Sequence, residues 1–116
     1  MAMLIQLIDG VAVSKFDLNK SLLSIGRHPD NHVFIDDSSV SGRHAQLLVK
    51  GNEHFPEFKE FYIEDLGSTN GTFVNDLAVT GCHRLHNNDV VRLAWNNFKF
   101  VDDSEPDLEK TLHMLK

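Results

Sequence analysis

Three separated pieces of this chain hold residues suited to anion chemistry: Ile25-Gly26-Arg27, Ser41-Gly42-Arg43-His44 and Gly67-Ser68-Thr69-Asn70-Gly71-Thr72. Together they offer guanidinium groups, hydroxyls, a side-chain amide and loop N–H groups. That inventory suits capture of a doubly charged phosphate attached to a peptide. A phosphothreonine carries about −1.5 to −2 charge near neutral pH, and arginine's planar fork can give its oxygens two parallel hydrogen bonds. The same residues offer little that would break a bond.

Each piece alone also has a plain structural reading. Arg27 is then a surface arginine in a turn, His44 a hydrogen-bonded structural histidine, and Asn70-Gly71 a turn that tolerates left-handed backbone. In the binding reading, Ser41 donates a hydroxyl, Gly42 permits a tight backbone path, and Arg43 adds a second charge. The Asn70 amide has a donor and an acceptor and so can pair with the main chain of an extended peptide. Ser41 and His44 are a nucleophile–base pair by name only, with no carboxylate clearly placed to orient the histidine, so no catalytic residue is assigned and no enzyme is expected. Seven histidines raise the question of a metal. Cys82-His83-x-x-His86 is compact but shows no fourth ligand, and Pro29 disfavours a helix that would present His28 and His32 together. No metal and no cofactor are expected.

These pieces must be positioned by strands. Short apolar–polar runs recur at roughly eight- to twelve-residue spacing. They are 3–8, 11–18, 22–27, 32–36, 44–50, 60–66, 72–75, 77–80, 89–94 and 97–102. Asp9-Gly10 is a two-residue hairpin turn, and Asn75-Asp76, Asn87-Asn88 and Asn96-Asn97 mark others. No stretch before residue 104 has a capped helical period. The pattern is that of an all-β, antiparallel β-sandwich, with the phosphate-suited pieces in its loops. The polar stretch 51–59, with Phe55 and Phe58, reads as a longer hairpin connection. After residue 102 the chain turns acidic, so 1–102 reads as the domain and 103–116 as a linker or tail. In that tail Leu108, Leu112 and Leu115 have the period of a short helix.

The chain has 116 residues and is 41% hydrophobic, enough for one domain with its own core. A net charge of −6 argues against general nucleic-acid binding, which needs a basic face, and requires local groups to hold any anion. The apolar run Met1 to Ile8 is too short for a membrane span or a signal-peptide core. A single cysteine, Cys82, excludes an intrachain disulfide and fits a reducing, cytoplasmic setting.

In order and spacing the motifs resemble the forkhead-associated (FHA) domain. The matching features are Gly26-Arg27, Asn31, Ser41 with His44 three further on, and the run Asp65-Leu66-Gly67-Ser68-Thr69-Asn70-Gly71-Thr72-Phe73-Val74-Asn75. The resemblance covers roughly residues 3–102. It implies an eleven-stranded sandwich that binds phosphothreonine peptides through loops at one end, in signalling or assembly. By resemblance Arg27 and Ser41 contact the phosphate, Thr69 lines the pocket, and Asn70 holds the peptide backbone. Gly26 and His44 shape the site, while Asn31, Gly71 and Asn75 are architectural. One departure is Gly42, where the family often has arginine, lysine or asparagine. Arg43 either compensates for the missing donor or points into solvent. A phosphate-independent scaffold on the same fold is the alternative reading. Thr111, with Met114 three residues on, suggests a further partner: phosphorylated, it would dock in its own pocket or a neighbour's and give self-association.

Overall fold

The structure, a computed structural model, describes residues 2–51, 54 and 59–102. Phe55, Phe58, Thr111, the acidic linker and the tail's helical period lie outside the described residues.

Among the described residues eleven strands form in chain order: β1 (Ala2–Ile8), β2 (Val11–Asp17), β3 (Leu22–Gly26), β4 (Val33–Phe34), β5 (Ala45–Gly51), β6 (Lys59–Asp65), β7 (Thr72–Val74), β8 (Leu77–Ala78), β9 (Cys82–Leu85), β10 (Val90–Leu93) and β11 (Asn96–Asp102). They make two sheets, one of order β2-β1-β11-β10-β7-β8 and one of order β4-β3-β5-β6-β9. Pairing is antiparallel except for a two-residue parallel bridge between β3 and β4. The two inner faces share one core. Leu4, Val91, Leu93, Phe98 and Phe100 come from the first sheet, and Leu23, Ile25, Leu47, Phe61 and Ile63 from the second. Burying each such side chain contributes about 1.5–3 kcal/mol, and the Phe61 and Phe100 rings meet across the sandwich with centroids 5.2 Å apart.

Alternation explains most strands. In β11 the inward Phe98, Phe100 and Asp102 alternate with more exposed neighbours. The turns at Asp9-Gly10 and Asn75-Asp76 have positive φ at both residues, as two-residue hairpins that match strand twist require. Two expectations fail. Cys82–Leu85, absent from the strand-like runs of the sequence, is strand β9. It is an edge strand whose one buried residue is Leu85, so it shows little apolar alternation. It is held instead by pairing with β6 and by an Arg84–Glu60 ion pair at 3.3 Å. The turn into β11 falls at Ala94-Trp95, not at Asn96-Asn97. Ala94 takes φ 56° and is fully buried, its N–H donating to the Gly71 carbonyl.

Strand direction gathers the motifs. The ends of β3 and β6 and the start of β5 lie at one end of the second sheet, as their antiparallel registers demand. The start of β7 and the end of β10 pair at the same end of the first sheet. Residues 27–32, 35–44 and 66–71 therefore share one rim.

Candidate functional site

At this rim Gly26 and Gly42 pass so closely that a Cβ on Gly26 would lie 2.2 Å from the Gly42 carbonyl oxygen. Only glycine fits at position 26. Asn31, buried beside it, donates its side-chain amide to the Gly42 carbonyl at 2.7 Å and to the His28 carbonyl at 2.8 Å. Backbone bonds from Arg27 N to Ser41 O and from His28 N to Gly42 O complete the join. The β3–β4 and β4–β5 loops are thus one unit.

His44 ties that unit to the β6–β7 loop. Its ring is fully buried. Nδ1 accepts from the Ser41 amide at 3.1 Å, so Nε2 carries the proton and donates to the Gly71 carbonyl at 2.8 Å. Its own backbone N–H goes to Ile25 O, and its carbonyl accepts from Leu66 N. Gly71 sits at φ 85°, and a Cβ there would meet the Phe73 ring at 2.9 Å.

The remaining motif residues surround this hub. The Thr69 amide donates to the Ser41 hydroxyl oxygen at 3.1 Å. One lone pair of that oxygen is thereby occupied, and the hydroxyl proton remains for another acceptor. Arg27 is exposed at the loop mouth and spends Nε on the Val40 carbonyl at 3.2 Å, leaving its terminal NH₂ groups with no partner among the described residues. Asn70 donates Nδ2 to the Ser39 carbonyl at 2.8 Å, which bridges two loops and leaves its side-chain oxygen as an acceptor. Arg43 is exposed and makes no hydrogen bond or ion pair to this cluster among the described residues. It lines an adjoining pocket of about 370 Å³ with Ser24, His28, Asp30, Asn31 and Gly42.

Two carboxylates brace the loops. Asp65 accepts from Gly67 N, Ser68 N, the Ser68 hydroxyl and the Thr72 hydroxyl. Burial raises the pKa of this carboxyl, but the hydrogen bonds outweigh burial and hold it below the ordinary value. Asp37 accepts from the Ser39 backbone and side chain and from Asn96, which lower its pKa in that order.

Several of these residues escaped the sequence reading. Asp65 stood in the long motif with no role, although an aspartate followed three residues later by serine is a turn-bracing signal. Asp37 and the Ala94-Trp95 turn carry no signal of place in the sequence, and Asn96 is marked there only as a turn residue. Yet Ala94 N bonds Gly71 O, and the Asn96 amide reaches Asp37 at 3.1 Å, so the β10–β11 turn is a fourth member of the rim. Among the described residues no group of three or more His, Cys, Asp or Glu is arranged to hold a metal. Cys82 lies on β9 near Glu64, whereas His86 caps the next turn through its amide to Asp89.

An exposed arginine and a serine hydroxyl on loops braced together by hydrogen bonds, at one end of a sandwich with eleven strands among the described residues, fit a phosphopeptide-recognition domain of the class that reads charge with arginine. The FHA domain family model matches residues 23–94, and the chain belongs to the FHA domain family. The glycogen accumulation regulator GarA of Mycolicibacterium smegmatis is 38% identical over 96 residues, covering 83% of this chain and 56% of that protein. The chain therefore spans about half the length of that curated relative. The FHA domain of the CT664 protein from Chlamydia trachomatis superimposes with a TM-score of 0.74 at 29% identity, over 87% of this chain and 96% of that one. Mycobacterium tuberculosis EmbR, solved with a low affinity phosphopeptide, gives 0.71 at 26% identity, over 86% of this chain and 24% of EmbR.

Proposed function

We propose that the chain binds a phosphothreonine-bearing segment of a protein partner through this rim, and that it acts by binding and not by catalysis. The single observation that carries the reading is the Thr69 N–H bond to the Ser41 hydroxyl oxygen. It occupies one lone pair and leaves the hydroxyl proton for another acceptor, on a residue whose carbonyl pairs with Arg27 N and next to an arginine whose Nε is already anchored. In this reading Ser41 and the terminal nitrogens of Arg27 hold the phosphate, Thr69 lines its pocket, and the Asn70 side-chain oxygen accepts an N–H of the peptide backbone. Arg43 adds positive potential across Gly42, and Gly26, His44 and Gly71 keep the loops in place.

Local groups are needed because the net charge of −6 opposes an anion at long range. The name of the mycobacterial relative, a regulator, and the phosphopeptide in the EmbR structure both agree with a role in phosphorylation-dependent control. Among the described residues no helix is long and apolar enough to cross a membrane, and the reading sets the domain, residues 1–102, in the cytoplasm with its kinase.

The test is calorimetric titration with a degenerate phosphothreonine peptide pool, with dephosphorylated and phosphoserine pools as controls. Losing two hydrogen bonds to a charged group costs roughly 3–6 kcal/mol, so dephosphorylation is expected to weaken binding at least about a hundredfold. A folded domain that binds no pool would shift the reading to a phosphate-independent scaffold.

A further inference from the structure

Strand β2 is the outermost strand of the first sheet, and among the described residues nothing pairs with its outer edge. At seven residues it is the longest open edge there. The other outer strands are shorter: β4 and β8 have two residues each and β9 has four. Apart from half-buried Phe16, every residue of β2 is exposed. An open edge of this length is a template for pairing with another chain.

The free main-chain groups of this edge can be assigned. Leu18 N donates to Ala2 O, and the register continues through Leu4–Phe16 and Gln6–Ser14. Antiparallel pairs alternate, so Phe16 and Ser14 also turn their N–H and C=O groups toward β1. Lys15 and Asp17 turn theirs to the open edge. Their side chains share the outer face of the sheet, opposite to Phe16, whose ring lies 6.3 Å from that of Phe98 in the core. Neither Lys15 nor Asp17 makes an ion pair or a side-chain hydrogen bond among the described residues. Toward the hairpin the register breaks, because Gln6 pairs with Ser14 but Leu7 with Ala12. Val13 is the extra residue of a bulge, which bends the edge and ends regular pairing.

We propose that this edge pairs with the same edge of a second copy of the chain, antiparallel and centred on Phe16. Lys15 then lies opposite the partner's Asp17, and Asp17 opposite the partner's Lys15. Each of these pairs exchanges two main-chain hydrogen bonds and joins opposite charges on the outer face. The two Phe16 rings meet at the axis on the inner face, in the closer, non-hydrogen-bonded type of pair. A lone lysine on an edge would repel a second copy; a lysine with a free aspartate two positions on, on the same face, makes the edge self-complementary.

Charge also fixes the register. With outward groups on alternate residues, the register moves only in steps of two. One step sets Lys15 against the partner's Lys15, and the opposite step sets Asp17 against the partner's Asp17, so both place like charges face to face. A further step brings Lys15 against the partner's Val13, at the bulge. The pairing is short, so the dimer forms in a concentration-dependent way. Its axis passes near the end of β2 that lies away from the rim, and it points the two rims in opposite directions. Such a dimer suits joining two molecules rather than gripping one, and the pairing itself does not depend on the phosphothreonine reading.

The experiment measures the mass of the whole chain by sedimentation from micromolar to about 1 mM, with amide hydrogen exchange at low and high concentration. The parent is expected to dimerise, with the Lys15 and Asp17 amides gaining protection as it does. Lys15→Glu and Asp17→Lys each set like charges opposite in both pairs, and each is expected to weaken the dimer roughly fivefold or more. Both side chains are exposed, so circular dichroism is expected to show the parent fold. Mixing the two single variants, or combining both substitutions in one chain, restores opposite charges and is expected to restore dimers. A parent that stays monomeric throughout overturns the proposal. So does a dimer in which the Lys15 and Asp17 amides exchange freely, or one indifferent to charge reversal. Protection of these amides in a monomer would mean that the chain covers its own edge, and overturns it too.

Discussion

His44 Nε2 lies 2.8 Å from the carbonyl oxygen of Gly71, 27 positions away in sequence. Through this bond and its partner to Ser41 N, a buried neutral imidazole fixes how far the phosphate-suited loops stand apart. The His44 side chain is fully buried, and in the proposed reading the bond sets the geometry in which Arg27, Ser41 and Asn70 act. His44→Ala leaves the Ser41 N–H unpaired, at about 1–3 kcal/mol, strips the Gly71 carbonyl of one of its two donors, the other being Ala94 N, and opens a cavity. A melt followed by circular dichroism is expected to drop by well over 5 °C for a domain of this size. An unchanged melting temperature would mean that the bridge contributes little.

Arg27→Ala is expected to abolish measurable phosphopeptide binding with the fold intact, because the side chain is exposed and its one internal bond is a single Nε donation. Arg27→Lys keeps the charge but not the fork, and should bind more weakly than the parent and better than the alanine variant. Calorimetry on the three proteins checks the order; equal affinities would remove Arg27 from the site.

Gly26 and Gly42 should respond in opposite ways to substitution. A Cβ on Gly26 meets the Gly42 backbone at 2.2 Å, whereas one on Gly42 has nothing within 4 Å. Gly26→Ala is therefore expected to force the two loops apart, lowering stability and phosphopeptide affinity together. Gly42→Arg is expected to fold normally and to bind phosphopeptide more tightly, by about tenfold for one added charged hydrogen bond. Thermal melts and titrations of both variants separate the cases, and a destabilised Gly42→Arg would contradict the open space at that position.

Acid should loosen the β6–β7 loop first. The Asp65 carboxyl is held below its ordinary value of 3.8 in the folded chain, so the unfolded chain binds the proton more readily. The stabilisation from this group is complete above the unfolded value and is lost as pH falls through the lower folded one. Asp65→Asn is expected to be less stable than the parent at neutral pH and to show a flatter loss of stability below about pH 4. Urea melts at a series of pH values test this, and parallel curves for the two proteins would count against it.

Much of this molecule could be read along the chain because its signals are local. A strand with one buried face must alternate, as β11 does around Phe98 and Phe100. A hairpin of two left-handed residues wants Asp-Gly or Asn-Asp, as at Asp9-Gly10 and Asn75-Asp76. The sandwich class, the loop position of Arg27, Ser41 and Asn70, and the family resemblance all followed from such signals. Strand β9 did not, because an edge strand is held by its neighbour β6 and needs little pattern of its own.

The relations that make the rim a site are of another kind. Ser41 with Thr69, His44 with Gly71 and Asp37 with Asn96 are separated by 28, 27 and 59 positions. A hydrogen bond depends on approach to about 3 Å, which residue types alone do not specify over such spans. The sequence by itself determined which residues would line the loops. The packing of two sheets, with antiparallel registers that bring those loops to one end, decided which of them meet, and it placed Trp95 beside them.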